Sequence, residues 1–120
     1  MEAEAIKKAM LSGGDDWQAA RAHISANDAP LTKSDYSEQK LNERNLAECD
    51  FSGSDFFDVD LTRANLKKSI FHGADLTRAL MHQAALYKAD LTGAVLLEAD
   101  LSNADMSSTT CRGADFRGAD

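Results

Sequence analysis

At 120 residues, with 43% hydrophobic residues and a single proline, the chain has room for one ordered domain. Its longest apolar run, Ala94 to Leu97, falls far short of the roughly 20 residues that cross a membrane, so no span is expected. A net charge of −7 repels a phosphate backbone, which argues against direct nucleic-acid binding and leaves basic or DNA-binding proteins as better-matched partners.

The chain opens Met1, Glu2, Ala3, Glu4, without the basic and apolar regions of an export signal, which predicts a cytoplasmic protein. Ala3 to Leu11 carry Ile6 and Met10 at helical spacing and predict a first helix. Gly13 and Gly14 break it, and the aspartates that follow offer an N-cap for a second helix from Asp15 to Ser25 bearing Trp17, Ala20, Arg21 and Ile24. Residues 1–28 are therefore expected to form a helical cap that lays Trp17 and Ile24 over the open end of whatever follows. Partner binding by this segment is the alternative. The cap is preferred because an uncovered end of stacked β-structure invites edge pairing.

From Ala29 the pattern changes to a strict period of five. Positions 31, 36, 41 and onward to 116 are all apolar or aromatic, from Leu31, Tyr36 and Leu41 to Met106, Cys111 and Phe116. Two places before each runs a second series that becomes nearly pure alanine from Ala64 on, and between the two Asp or Asn recurs, as at Asp50, Asn65 and Asp90. A period of five fits neither the 3.6 of a helix nor the 2 of a strand, so the chain must turn once per repeat. The large and the small residue then point inward, because a narrow interior cannot hold two large side chains per side at native density.

The repeats Ala74-Asp75-Leu76-Thr77-Arg78 and Ala89-Asp90-Leu91-Thr92-Gly93 resemble those of the pentapeptide-repeat family. The resemblance runs without a register break over residues 29–120 and implies an all-β solenoid, a right-handed quadrilateral β-helix with four repeats to a coil and a short N-terminal α-helical cap. Residues 20 apart then become vertical neighbours, about 4.8 Å apart. The first coils depart from the pattern at the small position, with Gln39, Arg44, Cys49, Ser54 and Val59, and Arg44 is the side chain expected to be displaced. Gly53, Gly73, Gly93 and Gly113 stack at one corner, as a turn of positive φ requires. The chain stops at Asp120, one residue short of the next leucine position, which suggests a fragment of a longer protein and an open last coil able to pair with a second copy as a dimer.

No catalytic, metal or cofactor site is expected. His23, His72 and His82 have no convergent partners, His72 and His82 fall on opposite sides, and all are read as solvated. Cys49 and Cys111 point inward about three coils apart, too far for a disulfide, and read as small buried hydrophobes. Ten of the fifteen acidic residues from Ala29 onward occupy the Asp position of the repeat, so most of the negative charge is architectural.

One asymmetry remains. The face around Tyr36, Phe56, Leu76, Leu96 and Phe116 collects Asp35, Asp55, Asp75, Asp115, Glu38, Asp58 and Glu98 against Arg78 and Arg117, with Phe57, Val95 and Leu97 also directed outward. The opposite face sets Lys67, Lys68 and Lys88 against Glu48 and Asp105. Acidic surroundings with a few apolar side chains suit docking of a basic protein partner. A non-enzymatic interaction module or scaffold is the leading expectation. The family resemblance implies a second, a mimic of duplex DNA that binds a type II topoisomerase such as gyrase. A third is the targeting domain of a longer effector or enzyme.

Overall fold

The computed structural model describes residues 2–22, 24 and 30–120. Two short helices come first. Helix α1 (Ala3–Ser12) buries Ile6 and Met10, and helix α2 (Gly14–Arg21) buries Trp17 and Ala20. Gly13 alone separates them at a φ of 76°, and its N–H donates to Ala9 O to close α1. A side chain there would strike Arg44, whose Cζ lies 2.5 Å from the position a Cβ would take.

The second helix differs from expectation in both its ends. Because Gly13 serves as the last cap of α1 and the first of α2, neither Asp15 nor Asp16 is the N-cap. Both lie in the first turn, where unpaired N–H groups favour negative charge. The helix stops at Arg21, before the expected end at Ser25, which falls outside the described residues together with the expected boundary between 28 and 29.

The repeats wind with a 20-residue period. Parallel bridges join Asp35 to Asp55, Lys40 to Asp60, Asn45 to Asn65 and Asp50 to Ile70, and the series continues to Val95 with Asp115. Four bridges per 20 residues give each coil four sides. Tyr36 N–H donates to Asp55 O at 2.7 Å and Asp55 N–H donates back to Ser34 O at 2.8 Å, while within a coil Ala64 N–H donates to Leu61 O at 3.0 Å and closes the corner. Corners recur every five residues, so only one residue per side bridges its neighbour. No extended strand forms among the described residues, and the β-structure is a ladder of isolated bridges.

The glycine column does have positive φ, from 63° to 71°, but so does every other corner. Thirteen non-glycine residues, among them Glu43, Arg63, Lys68 and Lys88, hold φ between 49° and 62° at the equivalent position. The turn, not the residue type, dictates the left-handed conformation.

Inside, the central positions from Leu31 to Leu101 are buried, as are the small positions from Cys49 to Ala99. Tyr36, Phe51, Phe56 and Phe71 form an aromatic cluster with ring centroids 5.0 to 5.8 Å apart. Ser54 and Ser69 occupy small positions and donate to Leu31 O and Leu66 O, so neither hydroxyl is buried unpaired. Arg44 is displaced as expected: it turns from the interior toward the cap and donates to Met10 O and Leu11 O, the open carbonyls at the end of α1. Cys49 is buried, but Cys111 is only half-buried, because no coil covers the last one. Met106 and Phe116 share that partial exposure.

The cap substitutes for a missing coil. Between ordinary coils, the carbonyls of Asp55 and Phe57 accept from Tyr36 and Glu38 of the coil before. Asn45 and Ala47 hold the same positions in the first coil. Trp17 Nε1 donates to Asn45 O at 2.7 Å, and Arg21 donates to Asn45 O and, at 3.0 Å, to Ala47 O. Ile24 packs against the same core.

Candidate partner-binding wall

The recurrent Asp has a local task. In each such repeat its carboxylate accepts the N–H two residues on: Asp55 from Phe57 at 2.9 Å, Asp75 from Thr77 at 2.9 Å, Asp115 from Arg117 at 3.1 Å. Asn45 and Asn65 accept in the same way from Ala47 and Lys67. This Asx bond pre-forms the corner, which accounts for the recurrence of Asp and Asn at the position. At Ser37, Ser52, Thr92, Ser102 and Ser107 the hydroxyl two residues on adds a second bond, as Ser37 to Asp35 at 2.6 Å.

Bridging then stacks these side chains by wall. On the second wall, built on Tyr36, Phe56, Leu76, Leu96 and Phe116, the bridges place Asp35, Asp55 and Asp75 in one unbroken column, and Val95 separates Asp75 from Asp115. The corner of this wall carries Glu38, Asp58, Arg78 and Glu98, with Glu38 and Glu98 exposed. Arg78 Nε sits 3.3 Å from Asp58 Oδ1 and its guanidinium lies 5.9 Å from the Phe57 ring centre. Arg117 pairs with Asp115 at 2.6 Å. Both arginines are thus spent on carboxylates of their own wall, and Asp35, Asp55, Glu38 and Glu98 keep their charge uncompensated by either. The Ser37 hydroxyl and amide hold the Asp35 carboxyl below its ordinary range, and Arg117 does the same for Asp115.

The apolar members are less open than their outward direction suggested. Phe57, Val95 and Leu97 are each half-buried, Phe57 partly beneath Arg78. Among the described residues the exposed large hydrophobic side chains are Leu80, at 47%, and Tyr87, at 37%, neither of which belongs to this wall. The signal for Leu80 was in the repeat itself, since it stands where Asp60 and Asp100 stand one coil either side.

The histidines are not simply solvated. His72 Nε2 lies 2.6 Å from Asp90 Oδ2 on the first wall, and His82 Nδ1 lies 2.8 Å from Ser102 Oγ on the third. His23 is outside the described residues. Burial pushes the Cys49 thiol up to about 11 and raises Cys111 as well, so both are protonated, poor nucleophiles at neutral pH. Burial likewise pushes Tyr36 up to about 12.

A tube of stacked four-sided coils with a helical cap and, among the described residues, no convergent polar cleft on its walls defines a repeat protein whose available features are its faces. The chain belongs to the pentapeptide-repeat family: it matches the profile described as pentapeptide repeats (8 copies) over residues 41–83 and 84–120. Among solved structures it is similar to alr5209, a pentapeptide repeat protein from Nostoc Pcc 7120, with 39% identity, 62% of each chain covered and a TM-score of 0.62. It is similar too to HetL from Nostoc sp. Strain PCC 7120, a pentapeptide repeat protein involved in heterocyst differentiation regulation, with 28% identity over 74% of this chain and 45% of that one and a TM-score of 0.58. A pentapeptide repeat protein from the Arabidopsis thaliana thylakoid lumen gives 27% identity, 83% and 74% coverage and a TM-score of 0.52. The chain thus spans less than two thirds of the first two structures. No curated protein matches it.

Proposed function

We propose that the chain is a non-enzymatic protein-interaction module, a right-handed quadrilateral β-helix whose second wall docks a basic protein partner. The observation that supports it is the unbroken column Asp35, Asp55, Asp75, flanked by Glu38 and Glu98, with Asp58, Phe57, Val95, Leu97 and Asp115 on the same wall. Polar chemistry elsewhere is dispersed: His72 and His82 each face one partner on opposite walls. A mimic of duplex DNA directed at a type II topoisomerase needs negative charge along both flanks, and Lys67, Lys68 and Lys88 on the fourth wall count against it.

Asparagine separates charge from architecture, because Asn45 and Asn65 already make the corner bond that Asp makes. The variant Asp55→Asn/Asp75→Asn/Asp115→Asn is expected to keep its thermal midpoint within a few degrees and to lose the proteins captured by the wild-type chain in a cross-linked pull-down. Capture unchanged by this variant, in a protein that remains folded, would remove the wall from the proposal.

A further inference from the structure

The charge of the second wall has its complement on the same molecule. Across the tube, the fourth wall is built on Leu46, Leu66, Leu86 and Met106 and presents Lys67, Lys68, Tyr87 and Lys88, all exposed. Among the described residues no carboxylate lies within ion-pair distance of any of these three lysines. Lys68 and Lys88 stand one coil apart in a single column, about 4.8 Å at the ordinary bridge spacing, so two like charges are stacked. Glu48 precedes Lys68 in that column and Lys67 helps to lower the Asp105 carboxyl, which leaves the wall with more lysines than carboxylates. Lys88 Nζ lies 5.3 Å from the Tyr87 ring centre, which leaves an aromatic side chain framed by cations.

We propose that the second wall of one copy packs on the fourth wall of another, so that the chain associates laterally with itself. The inference rests on the reading of the second wall as a docking surface and names its partner as a second copy of this chain. Charge complementarity favours this occupant, since stacked carboxylates on one wall and stacked lysines on the other are each relieved by the contact. Periodicity favours it too: both walls belong to one ladder and repeat at the same rise, so the one-coil step from Lys68 to Lys88 matches the step between successive carboxylates such as Asp55 and Asp75. The extents of 38 × 24 × 24 Å include the helical cap, so a wall offers well under about 900 Å² and the contact falls below the roughly 800 Å² per partner of a standard interface, as suits a weak, concentration-dependent association. The net charge of −7 opposes approach at long range, but over the Debye length of about 8 Å at physiological salt only the facing walls count. Because the two walls are opposite each other, the contact is heterologous and each copy keeps one wall free, so strings form instead of a closed dimer.

Sedimentation velocity of the full chain tests this. At about 0.1 M salt the weight-average mass should climb with concentration past that of a dimer, and at about 1 M salt it should return to the monomer. Lys67→Glu/Lys68→Glu/Lys88→Glu should remain monomeric, as should Glu38→Lys/Glu98→Lys, whose substitutions fall at the corner position that Lys68 and Lys88 already occupy with φ of 58°. Mixed together, these two variants should assemble. Lys40→Glu/Arg63→Glu/Arg112→Glu has the net charge of the triple lysine variant but alters only the first and third walls, and it should associate like the wild type. A wild-type chain that stays monomeric, or a species that stops at dimer and ignores the lysine substitutions, as pairing through the last coil would, overturns the inference; so does loss of association in the first-and-third-wall variant. If the asparagine variant loses a captured basic protein while the chain itself stays monomeric, the docking wall stands and only self-association falls.

Discussion

Corner residues carry the conformational cost of this fold. At Glu43, with φ of 61°, an L side chain sits in the left-handed region, which costs roughly 1–2 kcal/mol relative to its preferred backbone. Glycine removes that cost but gains entropy in the unfolded chain, so Glu43→Gly is expected to stabilise by about 0.5–1 kcal/mol in urea denaturation. Gly93→Ala should do the reverse and lose about 1 kcal/mol. The Cβ at Gly93 would approach nothing closer than 3.8 Å, so backbone conformation and not collision would account for the loss. The Asp residues add a pH dependence. Hydroxyl and amide donors two residues on hold Asp35, Asp100 and Asp105 below 3.8, and Arg117 holds Asp115 there. At Asp90 burial pushes upward, but Thr92 and His72 outweigh it and the net direction is again down. A carboxylate whose folded pKa is lowered stabilises the fold fully above its unfolded pKa, and that contribution disappears as pH falls through the folded value. The thermal midpoint should therefore hold down to about pH 4 and drop below it.

At the scale of the coil, each side depends on one large inward side chain. Leu86 is fully buried, and Leu86→Asp would leave a carboxylate without a partner at a cost of several kcal/mol, enough to abolish the cooperative melt followed by circular dichroism. The cap is an element of another kind, since its side chains reproduce the hydrogen bonds of a coil that is not there. Trp17→Ala removes both a buried ring and the donor to Asn45 O and is expected to cost about 3–5 kcal/mol. Hydrogen exchange should show the increase in opening concentrated in the first coil, around Tyr36 and Leu41, and little change at Leu91 and Leu96.

For the whole molecule, contacts run only from coil to coil, so stability is roughly a sum of neighbour terms and protection should peak in the middle. The amides of Leu61, Leu66, Phe71 and Leu76, bonded to the following coil, should exchange more slowly than those of Met106, Cys111 and Phe116. The same linear architecture keeps the walls distinct along their length, which is what allows one molecule to carry an acidic wall and, opposite it, a cluster of lysines.

The five-residue period by itself determined the inward and outward positions and the displacement of Arg44, because only one placement of a large residue every fifth position leaves the interior filled and the Asp series in water, while the 20-residue vertical register was implied by the family resemblance. Tertiary structure decided the rest. That corners accept thirteen non-glycine residues at positive φ follows from turn geometry imposed by stacking, which no local propensity for Glu, Lys or Arg foretells. That Gly13 replaces the aspartates as N-cap, and that Trp17 and Arg21 reach Asn45 and Ala47, depends on where the cap meets the coil. Leu80 is outward by its place in the repeat, but the extent of its exposure and of Tyr87's, against the half-burial of Phe57, Val95 and Leu97, was equally hidden, because how far an outward side chain lies down depends on its neighbours one coil above and below.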